Sequence, residues 1–105
     1  AIGESIYSLS QFKDYLVAGV CSIIQVDVAR IGGISPWLRV AHFAEVFKVT
    51  VCPHFLIELH VPLVCAIPYA KWLEYIPQSD LITEAGIDIK NGIARRSHSP
   101  GLGIK

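Results

Sequence analysis

Two kinds of hydrophobic pattern alternate along the first 77 residues of the chain. Short β-branched or aromatic runs at 22–28, 49–52 and 72–76 predict strands, and residues 1–4 look like the tail of another strand. The run at 22–28 is apolar enough for a strand that is covered on both faces of a parallel sheet. Between these runs, apolar residues recur at helical spacing. The pattern therefore predicts strands that alternate with helices.

The predicted helices have recognisable starts. Ser8 with Gln11 forms a capping box before the first helix, and Pro36 suits the first position of the second. The third runs from about Glu58 to about Ile67, which requires Pro62 to lie in its first turn. We therefore expect an α/β fold, with about four parallel strands and helices as in part of a TIM-type barrel.

The character of the chain changes after residue 77. Residues 87–90 and 93–95 flank Asn91-Gly92, a favoured two-residue turn, and predict a hairpin. Residues 99–104 predict an irregular closing segment. We therefore divide the chain into 1–77, part of a barrel, and 78–105, a C-terminal hairpin and closing segment of the same protein.

Composition narrows the possible partners. The net charge is +0, and no block of like charges occurs, so charge gives no case for nucleic acid or for an anionic membrane. The sequence shows neither a signal peptide nor an apolar run long enough to span a membrane. Cys21, Cys52 and Cys65 are widely spaced, which is typical of reduced thiols packed as small hydrophobes. These features predict a cytoplasmic protein. With 52% hydrophobic residues, the chain is also expected either to be part of a larger body or to pair with something else.

Polar side chains stand at the carboxyl ends of the predicted parallel strands. They are Glu4, Asp27, His54 and Glu74, and such ends meet on one rim. A carboxylate that orients a histidine makes a general base, and another acid nearby can donate a proton. Glu4 could serve a hard cation, although one carboxylate does not make a magnesium site. The alternative is that all four are capping or solvated loop residues.

Other residues leave alternatives open. Cys52 could be a nucleophile or, with His60, a zinc ligand, although a packed cysteine is the simpler interpretation. Glu58 and His60 could contact substrate, but helix capping and surface solvation explain them equally well. Arg30 could steer an anionic substrate or form a salt bridge between loops. Trp72 is expected in the core.

Five short phrases carry a family resemblance over essentially the whole chain. They are Gly3-Glu4, Gln25-Val26-Asp27-Val28-Ala29-Arg30-Ile31 with Gly33-Ile34, Pro53-His54-Phe55, Trp72-Leu73-Glu74 and Pro100-Gly101-Leu102-Gly103. Together they resemble the C-terminal barrel part of the enolase superfamily, in its mandelate racemase/muconate lactonizing enzyme subgroup. Within that subgroup, residues 53–60 and 76–78 look most like acid-sugar dehydratases.

The resemblance implies a modified TIM barrel in which Mg²⁺ holds a substrate carboxylate, so that the α-proton becomes acidic and an enediolate is stabilised. It makes Glu4 a metal ligand, His54 with Asp27 the base or acid dyad, and Glu74 a partner of the substrate carboxylate. In the dehydratases, the histidine would assist departure of the β-hydroxyl. The substrate would be a sugar acid, and the full-length protein is expected to be a homo-oligomer.

The chain also departs from the family pattern. A whole member has an N-terminal capping domain, further metal-binding acids and a lysine base on earlier strands, and about 250 residues for its barrel. We therefore expect these 105 residues to be a fragment that is inactive in isolation. Two alternatives to a dehydratase stay open: a racemase or epimerase of the same superfamily, and a non-catalytic half-barrel that only assembles.

Overall fold

The computed structural model describes residues 1–77 and 87–103 of the chain. Its helices are α1 (Leu9–Val17), α2 (Ile34–Val46) and α3 (Ile57–Cys65), and its strands are β1 (Ile23–Ile24), β2 (Thr50–Val51), β3 (Asp88–Lys90) and β4 (Ile93–Arg95). Predictions for residues 78–86 and 104–105, which include parts of the C-terminal unit, lie outside the described residues. None of these helices is long and apolar enough to cross a membrane.

Four successive segments pair in parallel, as the alternating pattern predicts. Strand β1 pairs with β2, while Ile2 forms a parallel bridge to Ile24 and Ala70 forms one to Val51. Segments that follow one another along the chain are therefore neighbours in the sheet. Helices connect them, which is the arrangement of consecutive βα units.

The predicted strand at 22–28 is regular over two residues, but its hydrogen bonds extend further. Ser22 accepts from the Thr50 N–H at 3.2 Å, and Val26 accepts from the His54 N–H at 3.3 Å. The parallel alignment therefore continues as far as Val26, directly before Asp27, and His54 on the neighbouring segment.

The strand predicted at 72–76 is wrong. Residues 71–76 have no regular secondary structure, and the chain meets the sheet earlier, where the Val51 N–H donates to the Tyr69 carbonyl at 2.8 Å. Trp72 is 55% exposed, so its predicted core position is wrong as well. Aromatic and β-branched content favours a pleated, half-buried surface, but it does not identify a hydrogen-bonding partner.

The core lies between the sheet and the helices that cover it. Trp37 of α2 is fully buried, and its indole N–H donates to the Val26 carbonyl at 3.3 Å. The other fully buried apolar side chains that pack with it include Phe12, Ile24, Val26, Val40, Ala44 and Val51. The strand that leads to Asp27 is thus fixed by apolar packing on the helix side.

The helix starts differ in detail from the predictions. The Ser8 hydroxyl accepts from the Gln11 N–H at 3.3 Å, which confirms the predicted cap. Helix α2 begins at Ile34, so Pro36 is its third residue rather than its first. Pro62 lies inside α3 and not in its first turn. A proline removes the bond to the carbonyl four residues earlier, and burial of the helix, including Val61 next to it, keeps α3 intact.

The C-terminal hairpin is confirmed. Strands β3 and β4 pair antiparallel, with Lys90 opposite Ile93. Asn91 and Gly92 both have positive φ, at 52° and 74°, as a primed two-residue turn requires.

Gly3 carries a strong steric constraint next to Glu4. Its φ is +151°, and a Cβ built on it would lie 2.5 Å from the backbone carbonyl carbon of Gln25. We expect Gly3→Ala to lower the free energy of unfolding by about 3 kcal/mol, because backbone atoms must move apart. Gly19→Ala is the matched control: φ is +66° there, but nothing lies within 4 Å of the added Cβ, so only about 1 kcal/mol is expected. Equal losses in denaturant unfolding of the two variants would contradict the steric account.

Candidate active site

The parallel sheet brings the side chains of Asp27 and His54 together. Asp27 follows the paired part of the β1 segment, and His54 follows that of β2. The His54 N–H donates to the carbonyl of Val26, the residue before Asp27, at 3.3 Å. Because the two segments run in parallel, their side chains emerge on the same rim.

The imidazole of His54 lies among three carboxylates. Its Nδ1 is 2.9 Å from Asp27 Oδ2, its Nε2 is 2.8 Å from Glu4 Oε2, and Nε2 is 4.0 Å from Glu74 Oε2. The four rim residues predicted from the sequence are therefore one cluster. Solvation does not describe His54 or Asp27, whose side chains are 14% and 3% exposed. Capping, the other part of that alternative, does describe one oxygen of Asp27, which accepts from backbone N–H groups.

Asp27 is a fixed acceptor. Its Oδ1 accepts from the Ala29 and Arg30 N–H groups at 2.8 and 3.2 Å, which leaves Oδ2 for His54. Burial raises the pKa of Asp27, but the hydrogen bonds from His54, Arg30 and Ala29 outweigh it, and the pKa lies below its ordinary value. Asp27 is accordingly a carboxylate that orients the imidazole.

The contacts of His54 constrain where protons lie. An ionised Asp27 only accepts, so His54 Nδ1 must donate to it. The contact of 2.8 Å between Nε2 and Glu4 Oε2 also needs a proton, on either the imidazole or the carboxyl group. The side of His54 that faces away from Asp27 is thus a place where a proton can be held and passed on.

The side chain of Arg30 contacts both the backbone of Glu4 and the carboxylate of Asp27. Its Nη1 donates to the Glu4 carbonyl at 2.8 Å, and its Nε lies 3.7 Å from Asp27 Oδ2. Arg30 thus joins the two loops by a hydrogen bond to a backbone carbonyl, while its ion pair with Asp27 lies within one loop and is not the predicted salt bridge between loops.

Glu74 reaches the rim without being on a strand. Its Oε2 accepts from the Phe55 N–H at 2.8 Å, and its side chain is 31% exposed. One lone pair is therefore used to fix the carboxylate, and the rest of the group stays accessible beside His54.

The rim satisfies part of what a magnesium ion needs. Glu4 offers a carboxylate that is 59% exposed, and hard oxygen ligands of this kind suit Mg²⁺. Within residues 1–77 and 87–103, however, no group of three or more histidine, cysteine, aspartate or glutamate side chains could hold a metal ion. Glu4 fits as one ligand of a site that the described residues do not complete by themselves.

The remaining candidates take other roles. Cysteines 21, 52 and 65 are free, but Cys65 is exposed, not packed. Burial, and then the charge of Glu74, raises the pKa of Cys52, which makes it a poor nucleophile. Glu58 is buried beside a cavity of about 280 Å³ that none of the four rim residues lines. His60 is fully buried with both ring nitrogens hydrogen-bonded, so it is neither solvated nor available to zinc.

Sequence reasoning did not identify the role of His60. Its Nε2 accepts from the Val28 N–H at 3.1 Å, and its Nδ1 is 2.7 Å from the Phe55 carbonyl oxygen. The sequence around His60 does not distinguish a buried histidine that links two loops from a solvated histidine on a helix. Only the three-dimensional arrangement reveals it.

We expect the protein to lose stability below about pH 6.5 because of His60. Burial lowers the pKa of His60 from its ordinary value of 6.5, although the Phe55 hydrogen bond and the charge of Asp27 oppose this effect. The unfolded chain therefore binds this proton more readily than the folded chain, and stability falls as the pH drops through this range. Thermal midpoints between pH 7.5 and 5.5 measure the slope. The slope should shrink in His60→Gln and persist in the exposed-residue control His42→Gln; an equal slope in both would contradict the assignment.

Comparisons with known proteins agree with this geometry. Residues 1–105 match the family model described as enolase C-terminal domain-like. The chain is 29% identical over 104 residues to L-talarate/galactarate dehydratase of Salmonella typhimurium, covering 99% of this chain and 26% of that protein. It is also 29% identical to D-galactonate dehydratase of Ralstonia nicotianae, covering 99% of this chain and 31% of that protein.

Solved structures show the same fold. The structure of the Salmonella typhimurium dehydratase superposes with a TM-score of 0.93 at 28% identity, over 98% of this chain and 26% of that chain. L-Talarate dehydratase from a Polaromonas species, complexed with Mg and L-glucarate, gives a TM-score of 0.86 at 31% identity, over 98% of this chain and 29% of that one. The chain thus spans between about a quarter and a third of the length of these relatives.

Proposed function

Because the chain belongs to the enolase C-terminal domain-like family, we propose that it supplies one side of the active site of an acid-sugar dehydratase. The residues 1–77 would form the C-terminal half of a TIM-type barrel, and 78–105 would close it. The substrate class is a sugar acid, by analogy with the dehydratases to which the chain is similar.

The observation that carries the proposal is the position of His54 between two acids. Asp27 is 2.9 Å from Nδ1 and Glu4 is 2.8 Å from Nε2. A histidine that is oriented by a buried carboxylate, with its other nitrogen directed at the rim, is suited to move a proton to or from a substrate. A solvated loop histidine would need neither contact.

In this mechanism, each residue of the chain has a distinct part. Asp27 fixes the imidazole, so that Nε2 faces the substrate. His54 gives a proton to the β-hydroxyl as the carbon–oxygen bond breaks, and the leaving group departs as water. Glu74, held by the Phe55 N–H, would act in its protonated form and donate a hydrogen bond to the substrate carboxylate where charge develops.

Glu4 and a metal ion complete the proposed site. When bound, Mg²⁺ would hold the substrate carboxylate and make the proton on the α-carbon more acidic. Glu4 would contribute one oxygen ligand, which requires its carboxylate to leave His54 Nε2. The other metal ligands and the base that removes the α-proton would come from outside this chain. The 105 residues alone are therefore proposed to be inactive.

The same dyad would also serve a racemase or epimerase. There, His54 would return the proton to the α-carbon, and no carbon–oxygen bond would break. The cytoplasmic setting and the homo-oligomeric state stay predictions from the sequence and the family resemblance.

A product assay of the complete protein that carries this chain tests the proposal. The protein is incubated with Mg²⁺ and a panel of hexarates and aldonates, and formation of 2-keto-3-deoxy acids is measured. We expect a keto acid from at least one substrate, and loss of that product when the metal is chelated. If the whole panel gives neither keto acid nor exchange of the α-proton, both enzyme hypotheses fail, and the assembling half-barrel becomes the better account.

A further inference from the structure

His60 joins the two loops that carry the catalytic dyad. Its Nε2 accepts from the N–H of Val28, the residue after Asp27, at 3.1 Å. Its Nδ1 is 2.7 Å from the carbonyl oxygen of Phe55, the residue after His54. The side chain is fully buried and packs against Trp37, with ring centroids 5.9 Å apart.

These two bonds require a particular form of the imidazole. A backbone N–H can only donate, so Nε2 must be unprotonated, and a carbonyl oxygen can only accept, so Nδ1 must carry the hydrogen. One neutral tautomer satisfies both bonds, and the buried site favours the neutral form. The ring therefore links the two loops in one way only, because it accepts from the loop of Val28 and donates to the loop of Phe55.

The loop after His54 depends on such a link. Phe55 and Leu56 both have left-handed backbones, with φ of 51° and 40°, a conformation that costs free energy for residues other than glycine. Phe55 is held at its carbonyl by His60 and at its N–H by Glu74 Oε2, 2.8 Å away. The conformation that presents an N–H to Glu74 is thus supported from the other side by His60.

We infer that His60 is a positioning residue. Through its bonds to Phe55 and Val28, it fixes the position of Glu74 relative to the Asp27–His54 pair. Both of its hydrogen bonds are to backbone groups and not to the proposed reacting groups. This inference rests on the proposed function, because the relative position of Glu74 and His54 matters only if both act on one substrate. A displacement of the order of an ångström at such groups costs roughly a hundredfold in rate.

Two substitutions separate the two bonds. In His60→Gln, the amide oxygen can still accept from the Val28 N–H, but the bond to the Phe55 carbonyl is lost. In His60→Asn, a shorter amide can still donate to Phe55, while the bond from Val28 is lost. His42→Gln, at an exposed position of α2, is the matched control. Thermal melting and active-site titration correct each rate for the fraction of folded protein.

The test is a double-mutant cycle in the complete protein. We expect His60→Gln to lower kcat/KM about tenfold. The double variant His60→Gln/Glu74→Gln should lose clearly less than the product of the two separate losses, because His60 acts through Glu74. A full multiplicative loss, or an unchanged kcat/KM in His60→Gln, overturns the inference. If His60→Gln does not fold, the same cycle is run with His60→Asn and Asp27→Asn.

Amide hydrogen exchange distinguishes failure of this inference from failure of the proposed function. A wild-type protein that converts no sugar acid refutes the function, and the link is then decided by exchange alone. We expect His60→Gln to speed exchange at the Phe55 N–H and to leave the Val28 N–H protected, with the opposite result in His60→Asn. Unchanged protection at Phe55 in His60→Gln overturns the positioning role.

Discussion

Replacing His54 by asparagine should lower kcat for the sugar acid about 10³-fold. The imidazole lies within hydrogen-bond distance of the side-chain carboxylates of both Asp27 and Glu4. Asparagine has no titratable group with which to deliver a proton to the departing hydroxyl. The measurement is steady-state formation of the keto acid by the complete protein at saturating Mg²⁺.

A matched histidine substitution controls for folding and for general effects. His42 lies exposed on α2, far along the helix from the rim loops, and His42→Asn should keep the wild-type kcat. Retention of even a tenth of the wild-type rate by His54→Asn would remove His54 from the proton-transfer step.

Replacing Asp27 by asparagine should lower kcat about 10²- to 10³-fold while the protein stays folded. The amide oxygen can keep the two backbone hydrogen bonds from Ala29 and Arg30. The amide nitrogen then faces His54 Nδ1 as a donor, which forces Nδ1 to accept and moves the imidazole proton to Nε2. The substitution also removes the negative charge that stabilises a protonated imidazole.

The control for Asp27→Asn is Asp14→Asn. The Asp14 side chain on α1 is 75% exposed, so the same chemical change there should leave kcat unaltered. The loss in Asp27→Asn should be in kcat more than in KM, because Asp27 bonds His54 and not the substrate. A loss confined to KM would contradict the role given to Asp27.

The sequence predicts the sheet and the rim because both depend on local pattern. The apolar run before Asp27 and the β-branched run before His54 identify parallel segments, and parallel segments place their ends on one side. The proximity of Asp27 and His54 follows from that geometry alone. Glu4 joins them because residue 2 pairs with the same strand on its other side.

The sequence also predicts Glu74 on the rim, but it does so through a strand that the structure lacks. The predicted strand at 72–76 does not exist, and the chain touches the sheet at Ala70 instead. Glu74 is brought to His54 by its bond to the Phe55 N–H. A backbone hydrogen bond to a side chain nineteen residues away leaves no trace in hydrophobic periodicity.

His60 and Pro62 show what local pattern cannot supply. The link made by His60 depends on the left-handed backbone at Phe55 and Leu56, which neither residue type favours. Pro62 is tolerated inside α3 because tertiary packing, rather than helix propensity, determines where that helix lies. In both cases, contacts between distant segments outweigh the preferences of single residues.

The measurement that tests the account most directly follows one sugar acid in deuterated water by proton NMR, with the complete protein and Mg²⁺. The account predicts that the wild-type protein forms the 2-keto-3-deoxy acid and that His54→Asn does not form it at a comparable rate. Recovery of a chemically unchanged substrate that has only exchanged its α-proton would indicate a racemase and contradict the dehydratase. Keto acid formation by His54→Asn at the wild-type rate would contradict the proton transfer that the account assigns to His54.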